Sequence, residues 1–240
     1  MLRAWHIQKE ARTWSKKAPE NAFILDAGSG FGQYDYFLSS LNSKWRILAI
    51  DVKEEQVADC NSFFKEIGRP QVKFQVGDLT KYKAPDTYDL VLCVDVMEHI
   101  LEDRKAFENY CSSLKKGGML LISTPSDQGG SGIEEHADGE VQGFIDEHVR
   151  DGYPIEEIEE KILTAGFEIV EAKYSYGTPG KISWKLSMYL PMRVLGVSKL
   201  FLILLPFYYI LTFPFCIALN YLDVHSNHRT GTGLIVKAWK

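Results

Sequence analysis

The stretch FILDAGSGFG, Phe23–Gly32, is the most informative part of this 240-residue sequence. It begins as a short apolar run that carries an acid near its end, which is typical of a buried strand. Three glycines then follow at alternate positions, and glycine lets a chain turn tightly and approach a ligand closely. Phe37, Leu38 and Leu41 continue with helical spacing, so the backbone N–H groups at the start of that helix could face a ligand. A tight turn without any ligand would also need glycines, so the turn alone leaves both interpretations open.

The spacing of the glycines and the acid before them narrow the kind of ligand. The pattern is G-x-G-x-G, whereas dinucleotide-binding turns have G-x-G-x-x-G. Asp26 ends the strand ahead of the glycines, where its charge would attract a cationic amino group and repel a pyrophosphate. A nicotinamide cofactor is therefore a distant alternative.

Strands and helices alternate along the rest of the chain. Further apolar runs read as strands at RILAID (46–51), VKFQV (72–76), YDLVLCV (88–94), MLLIST (119–124), FEIVEAKYSY (167–176) and GLIVKAWK (233–240). Helical periodicities separate them, and Lys115, Lys116 and Gly117 are expected to close the helix before the fifth strand. This alternation predicts βαβ units and a parallel sheet with helices on both faces.

Two more acids follow strands in the same way as Asp26. Asp51 ends the second strand, where a carboxylate is placed for two ribose hydroxyls, and Asp78 follows the third strand, where it could bond an exocyclic amine of a base. Because parallel strands end at one edge of a sheet, the three acids and the glycine turn predict a single binding crevice.

The set DAGSGFG, AID, GDL and YDLVLCVDVMEHI resembles the class I S-adenosylmethionine-dependent methyltransferases, and most of all the branch with quinone and other small-molecule methyltransferases. The resemblance covers residues 23–124 and continues more weakly through EHVRDGYPIEEIEEKILTAGF. It implies an α/β fold, a doubly wound seven-stranded Rossmann-like sheet in the order 3-2-1-4-5-7-6 with an antiparallel last strand. It also implies S-adenosyl-L-methionine as cofactor and methyl transfer as the reaction.

The resemblance also assigns cofactor-binding residues. It implies that Asp26, Gly28 and Gly30 hold the methionine end, Asp51 the ribose, and Asp78 with Leu79 the adenine. Cys93 and Val94 would line the sulfonium side through backbone atoms.

The motif DVMEHI, Asp95–Ile100, follows the fourth strand and would face the methyl group. His99 is a candidate catalytic residue that orients the substrate or removes a proton. Asp95, Glu98 and His99 also match the spacing with which some quinone O-methyltransferases bind a divalent cation. A histidine that packs beside the cofactor without a metal is the preferred interpretation, so no metal site is predicted.

A second candidate site is EHVRDGY, at the end of a long Gly-rich loop. His148 titrates near neutral pH and suits proton removal from an acceptor hydroxyl, while Arg150 and Tyr153 are candidate substrate-binding residues. A polar network that orders the entry to the next helix is an equally good explanation.

The charge distribution limits the partners. The net charge of −5 argues against nucleic acid as a partner, because phosphate neutralisation needs clustered Lys and Arg. Residues 172–222 nevertheless hold five cations and no acid, which suits an anionic lipid surface. The four cysteines read as reduced core residues of a cytosolic protein.

The run LFLILLPFYYILTFPFCIAL, Leu200–Leu219, has the length of a membrane span without one charge. It lies between the sixth and the last strand, so both of its ends must return to one sheet, and a single crossing would separate the last strand from that sheet. Pro206 and Pro214 also interrupt a helix there. We expect a helical insertion that lies in one leaflet or forms a re-entrant hairpin; a cap buried on the domain or on a second subunit is the alternative.

The predicted organisation is therefore a methyltransferase domain over residues 1–176 with a lid loop at 125–152, an apolar insertion over 177–230 and a last strand over 231–240. The predicted function is O- or C-methylation of a hydrophobic or lipid-linked small molecule by a cytoplasmic protein held peripherally or monotopically on the inner face of a membrane. A non-catalytic membrane-bound scaffold with the same fold is the alternative, and a dimer is compatible with the sequence.

Overall fold

The computed structural model describes residues 2–129 and 149–240, and seven strands form one sheet at its centre. The strands are β1 (Phe23–Ala27), β2 (Arg46–Asp51), β3 (Val72–Val76), β4 (Tyr88–Val94), β5 (Leu114–Pro125), β6 (Ile169–Ser175) and β7 (Gly233–Trp239). Their order is β3-β2-β1-β4-β5-β7-β6, and β7 is antiparallel to both of its neighbours. The predicted topology is confirmed.

Eight α-helices occur in the described part of the chain, and the first five of them pack on the sheet. They are α1 (Leu2–Ser15), α2 (Gln33–Leu41), α3 (Glu54–Glu66), α4 (Asp103–Ser113), α5 (Ile155–Thr164), α6 (Thr178–Trp184), α7 (Leu190–Val197) and α8 (Leu205–His225). Short 3-10 turns cover Met97–His99 and Lys199–Ile203, and a π-helical turn covers Lys185–Tyr189.

Alternate residues of the central strands enter two separate cores, because successive side chains in a strand point to opposite faces. Leu25 and Val91 face the core that α4 and α5 cover. Ile24 and Leu90 face the core that α1, α2 and α3 cover. Both faces of the parallel strands are therefore buried, as their nearly continuous apolar sequences predicted.

The boundary between α4 and β5 differs from the prediction. The helix ends at Ser113, and Lys115, Lys116 and Gly117 belong to the strand instead of closing the helix. Two tertiary contacts explain the difference: the Lys115 ammonium pairs with Asp89 at 2.8 Å, and Leu114 pairs with Tyr88 of β4. Pairing with the neighbouring strand therefore decides the conformation of these residues, although their local sequence is typical of a helix end.

Residues 178–225, named here the apolar hairpin, leave the domain after β6 and return before β7. The outgoing part consists of α6, the π-helical turn and α7, and α8 returns along it. Side chains of α8 join the two arms, since the Tyr208 hydroxyl donates to the Leu186 carbonyl at 2.7 Å and the Tyr209 hydroxyl to the Ser187 carbonyl at 2.9 Å. The run therefore forms a hairpin that begins and ends at the same sheet, as the position between the last two strands required.

Most of the apolar hairpin faces away from the domain. Leu200 near the tip is 77% exposed, and Ile210 and Phe215 on α8 are 70% and 68% exposed. Among the described residues α8 is the one helix long and apolar enough to cross a membrane, and only 11% of its most apolar window is buried. The alternative in which this run forms a cap buried on its own domain is therefore not the arrangement that the chain adopts.

A buried carboxylate fixes the base of the apolar hairpin. Asp223 accepts hydrogen bonds from the backbone N–H groups of Gly180 at 2.9 Å and Tyr176 at 3.1 Å, and its carboxylate lies 2.9 Å from Nε2 of His6 on α1. Burial tends to raise the pKa of Asp223, but the His6 and Gly180 hydrogen bonds outweigh it and lower that pKa below its ordinary value. The ionised side chain thus connects α1 to both arms of the hairpin.

Candidate cofactor and acceptor site

The turn between β1 and α2 needs glycine where it passes the end of β4. Gly28 has a φ of +87°, and a Cβ atom built there would lie 2.2 Å from a methyl group of Val96. Its N–H donates to the Ile50 carbonyl at 2.8 Å, which ties the turn to β2. At Gly30 the φ is +52° and nothing lies within 4 Å of the Cβ position, so the backbone borders open space on that side.

That open space is a cavity of about 590 Å³ at the carboxyl ends of the parallel strands. Of the residues predicted from sequence, it is lined by Gly28, Gly30, Asp51, Asp78, Leu79, Val94 and His99. Segments that follow four different strands thus contribute to one crevice, at the place where parallel sheets of this type bind ligands.

Asp51 is held in a fixed orientation beside the glycine turn. Its Oδ2 accepts from the Gly30 N–H at 2.8 Å, and its Oδ1 accepts from the Lys53 N–H at 3.0 Å. Each carboxylate oxygen has a second lone pair available, so the group can still accept from two hydroxyls of a ligand. The geometry fits the ribose contact that the resemblance implied.

Asp78 remains ionised at the far end of the cavity. Its Oδ1 accepts from the Thr80 hydroxyl at 2.6 Å and from the Thr80 N–H at 2.9 Å, and its Oδ2 pairs with Lys81 at 2.9 Å. The Thr80 and Lys81 hydrogen bonds lower the pKa of Asp78 to about 2. An ionised acceptor beside the apolar Leu79 side chain suits an aromatic base with an amino group.

Asp26 lies beneath the turn and does not line the cavity. It is 1% exposed, and Asp35 of α2 is buried beside it in the same environment. Burial raises the pKa of both carboxyl groups. Asp26 Oδ2, both Asp35 carboxyl oxygens and the Ser29 hydroxyl have no hydrogen-bond partner among the described residues. Of these groups, Ser29 lines the cavity, so its hydroxyl is available to a polar ligand.

Cys93 and Val94 occupy different positions relative to the cavity. Val94 lines it, whereas Cys93 is fully buried with its sulfur 3.8 Å from the Tyr110 hydroxyl. Burial raises the pKa of the Cys93 thiol, which therefore stays neutral. Its side chain is part of the core, and any contact to a ligand would be through its backbone.

Past β4 the cavity has a second, more polar end that sequence patterns did not fully reveal. Asp95 lies there with a φ of +52°, an uncommon conformation for a residue with a side chain, and such conformations are concentrated at functional sites. Its carboxylate forms an ion pair with Arg3 of α1. Burial raises the pKa of Asp95, and the Arg3 charge partly offsets this effect. Arg3 and Tyr34 also line the cavity, although no motif marks either of them.

His99 and Glu98 lie at this same end. His99 is exposed and lines the cavity. The Glu98 carboxyl is buried and accepts from the Thr124 hydroxyl at 3.2 Å. Burial, with the nearby Asp95 charge, raises the pKa of Glu98 to about 7.

Asp95, Glu98 and His99 do not fit a divalent-cation site. Asp95 is paired with Arg3, Glu98 with Thr124, and residues 2–129 and 149–240 contain no group of three side chains arranged to hold a metal.

The candidate substrate-binding pair belongs to a buried network instead of the cavity. Asp103 Oδ2 accepts from the Arg150 guanidinium at 2.6 Å, the Tyr153 hydroxyl at 2.8 Å and the Lys161 ammonium at 2.7 Å. Tyr153 is fully buried, so its side chain is out of reach of a substrate in the cavity. The prediction that Tyr153 binds substrate is corrected to the alternative, an ion-pair network at the entry to α5. Arg150 belongs to the same network, and its binding of a substrate stays a prediction. His148 lies outside the described residues.

Comparison with known proteins agrees with this geometry. The family model described as "Methyltransferase domain" matches residues 24–118. A phosphoethanolamine N-methyltransferase of Triticum aestivum is 31% identical over 154 residues, which cover 62% of this chain and 28% of that protein. A ubiquinone biosynthesis O-methyltransferase of Rickettsia felis is 27% identical over 172 residues, which cover 68% of each chain. The chain thus spans little more than a quarter of the first relative and about two thirds of the second.

Solved structures share the fold. The Haemonchus contortus phosphoethanolamine N-methyltransferase 2 in complex with S-adenosyl-L-methionine superimposes with a TM-score of 0.65 at 18% identity, over 97% of this chain and 52% of that one. An S-adenosylmethionine-dependent methyltransferase of Mesorhizobium loti superimposes with a TM-score of 0.59 at 17% identity, over 95% of this chain and 96% of that one. At these identities the likeness shows the fold alone.

The residues of the cavity fit S-adenosylmethionine as its cofactor. Asp51 and Asp78 present carboxylate oxygens to the cavity, which suits a ribose and an adenine, and the Ser29 hydroxyl at the glycine turn suits a polar amino acid end. The strand order and this crevice agree with the match of residues 24–118 to the methyltransferase domain and with the fold of the S-adenosylmethionine-dependent methyltransferases to which the chain is similar.

Proposed function

We propose that the chain transfers a methyl group from S-adenosylmethionine to an oxygen or carbon atom of a hydrophobic or lipid-linked small molecule at a membrane surface. One observation carries the proposal: a single helix connects the cofactor cavity to the apolar hairpin. Arg3 of α1 lines the cavity, and His6, one turn later, contacts Asp223 at the base of the hairpin. An acceptor that partitions into the apolar surface would therefore be close to the reaction site.

For methyl transfer, the main task of the chain is to position the methyl donor and the acceptor. S-adenosylmethionine supplies an electrophilic methyl group when it is bound. Asp51, Asp78 and the glycine turn would fix it along the carboxyl ends of the strands, with Val94 beside the polar end of the cavity. Alignment of two reactants in this way contributes at most roughly 7–11 kcal/mol to lowering the barrier.

A proton must leave the acceptor when it is a hydroxyl. His99, exposed at the polar end of the cavity, is the described histidine placed to accept it. His148 stays a prediction, since it lies outside the described residues. General base catalysis typically contributes about 10²–10⁴-fold, and a phenol or quinol needs less because its proton is more acidic.

The relatives support different acceptors. The Rickettsia felis protein is named for ubiquinone biosynthesis and the wheat protein for phosphoethanolamine. The exposed apolar hairpin favours the lipophilic class, such as a prenylated quinol, a lipid-linked sugar or a long-chain aryl lipid. The cation-rich, acid-free stretch around the hairpin favours attachment to an anionic cytoplasmic leaflet, peripheral or monotopic.

Labelled S-adenosylmethionine tests the proposal when it is incubated with the protein and a lipid extract of its source. We expect label in the organic phase and a lipophilic product on chromatography. No binding of S-adenosylmethionine in a calorimeter would favour the non-catalytic scaffold instead. Binding with label confined to water-soluble products would retain the methyltransferase and remove the lipophilic acceptor.

A further inference from the structure

A second cavity, of about 380 Å³, lies between α1 and the domain end of α8, and it shares no residue with the cofactor cavity. It is lined by Trp5, Gln8, Lys9, Arg12, Thr13, Lys16, Val224 and His225. Three of these side chains are Lys or Arg, and none is acidic. We name it the basic groove.

The cations of the basic groove lie on α1 and directly after it. Trp5, Lys9 and Arg12 are spaced at i, i+4 and i+7, which places them on one face of the helix, and Lys16 follows its last residue, Ser15. The opposite face is buried, and the acid on it, Glu10, pairs with Lys173 and Lys237. The ion pairs of Glu10 are therefore with cations outside the groove.

Within residues 2–129 and 149–240, no ion pair to a carboxylate is formed by Lys9, Arg12 or Lys16. Lys9 donates to the Val224 carbonyl at 2.6 Å, at the end of α8, and the Arg12 guanidinium lies over the Phe37 ring at 5.1 Å. These contacts hold both side chains in position without cancelling their charge. Clustered cations without counter-charges attract an anion.

The apolar surface of the hairpin extends to the edge of the groove. Tyr221 and Leu222 of α8 are 57% and 53% exposed, and His225, which lines the groove, stacks on the Tyr221 ring. Trp5 contributes an indole at the same border, and Trp and Tyr are the side chains that prefer the level of lipid headgroups. Exposed apolar surface and interfacial aromatics thus lie along α8, and the cations follow on the neighbouring α1.

We infer that the basic groove binds the phosphate of an anionic membrane phospholipid when the apolar hairpin enters the leaflet. Arg12 and Lys16 would contact the phosphate, while Lys9 holds α1 against α8. The apolar surface, the aromatic side chains and the cations lie in the same order as the layers of a leaflet, from hydrocarbon to headgroup. This order favours a hairpin whose axis is tilted away from the membrane normal. Because α8 is roughly 30 Å long, a hairpin parallel to the normal would hold the basic groove above the lipid phosphates.

Vesicle flotation of the full chain tests this inference, which rests on the membrane attachment proposed above. The vesicles are phosphatidylcholine alone and phosphatidylcholine mixed with phosphatidylglycerol. The test variant is Arg12→Gln with Lys16→Gln, and the control is Lys65→Gln with Lys83→Gln, two exposed lysines outside both cavities that change the net charge equally. We expect the test variant to lose about 30-fold of its affinity for the anionic vesicles and the control variant to lose little.

Each other outcome has a distinct meaning. If wild type floats with anionic vesicles and both variants weaken equally, the attraction is general and the groove inference is wrong. If wild type floats with neither vesicle, the membrane attachment itself fails. If millimolar inorganic phosphate abolishes flotation and titrates the Trp5 indole N–H resonance, the groove is a free-phosphate site instead of a lipid site. Unchanged S-adenosylmethionine affinity of both variants verifies that they are folded.

Discussion

The N–H of Gly30 donates to Oδ2 of Asp51 at 2.8 Å, which joins the glycine turn after β1 to the acid at the end of β2. The contact orients the carboxylate and fixes the loop backbone together. Both elements of the cofactor cavity therefore form one rigid unit before any ligand binds, so little ordering remains to oppose binding.

Asp51→Asn tests the charge of this acid. The amide oxygen can still accept from Gly30, while the contact from the Lys53 N–H is lost and hydrogen bonds to ligand hydroxyls lose their charged acceptor. Hydrogen bonds to charged groups contribute about 1.5–3 kcal/mol, so S-adenosylmethionine should bind at least about tenfold more weakly by calorimetry. Asp59→Asn, an exposed acid of α3, is the control. Equal affinity of wild type and Asp51→Asn would show that Asp51 does not contact the cofactor.

Gly28→Ala tests how tightly the turn is packed. The new methyl group meets Val96 at 2.2 Å in a backbone with φ of +87°, whereas at Gly68 the φ is +70° with nothing within 4 Å. Overpacking costs about 1–3 kcal/mol, so Gly28→Ala should lower the free energy of unfolding in urea by that much more than Gly68→Ala. Adding Val96→Ala should restore part of the loss. A Gly28→Ala chain as stable as Gly68→Ala would contradict the packing described.

Asp35→Asn should make the chain more stable at alkaline pH. The pKa of Asp35 is raised by burial, so the folded state binds a proton that the unfolded state releases between pH 4 and the raised value. Stability consequently falls as the pH rises through that range, and an amide, which never ionises, removes this loss. Urea unfolding at pH 5 and pH 8 should show a gain for Asp35→Asn at pH 8 and little change at pH 5. A larger gain at pH 5 would refute the assignment.

Leu202→Asp with Ile203→Asp tests the membrane role of the hairpin tip. Both side chains are exposed, so the double variant should unfold at the same urea concentration as wild type. Each loses about 1.5–3 kcal/mol of apolar burial in lipid, so vesicle binding should fall by more than about 100-fold. Leu101→Asp with Leu163→Asp, two exposed apolar residues of the domain, is the matched control. Vesicle binding that survives the tip substitutions would place the contact elsewhere.

The sheet and most of the predicted residues that line the cavity could be predicted because their signals are local. Strand sequences such as LVLCV, residues 90–94, are apolar throughout, and an acid or glycine directly after a strand lies at the crevice by topology alone. The insertion could be predicted as well, since a run between the last two strands must return to the sheet.

Contacts between distant segments escaped prediction. Arg3 reaches Asp95 across 92 positions of sequence, and nothing in the polar pattern of α1 marks that residue as part of a site. Tyr153 and Arg150 are residue types that often bind substrates. In the structure both instead donate to Asp103, which lies 50 residues before Tyr153 in the sequence. A side chain's partner, and hence its role, depends on packing that no short motif encodes.

Transfer of label from S-adenosylmethionine into lipid, with vesicles of the source membrane present, tests the central claim most directly. Wild type should place label in a lipophilic product, and the Leu202→Asp, Ile203→Asp variant should do so at least about tenfold more slowly at unchanged cofactor affinity. Label found only in water-soluble products, at equal rates in both proteins, would contradict methylation of a membrane-borne acceptor.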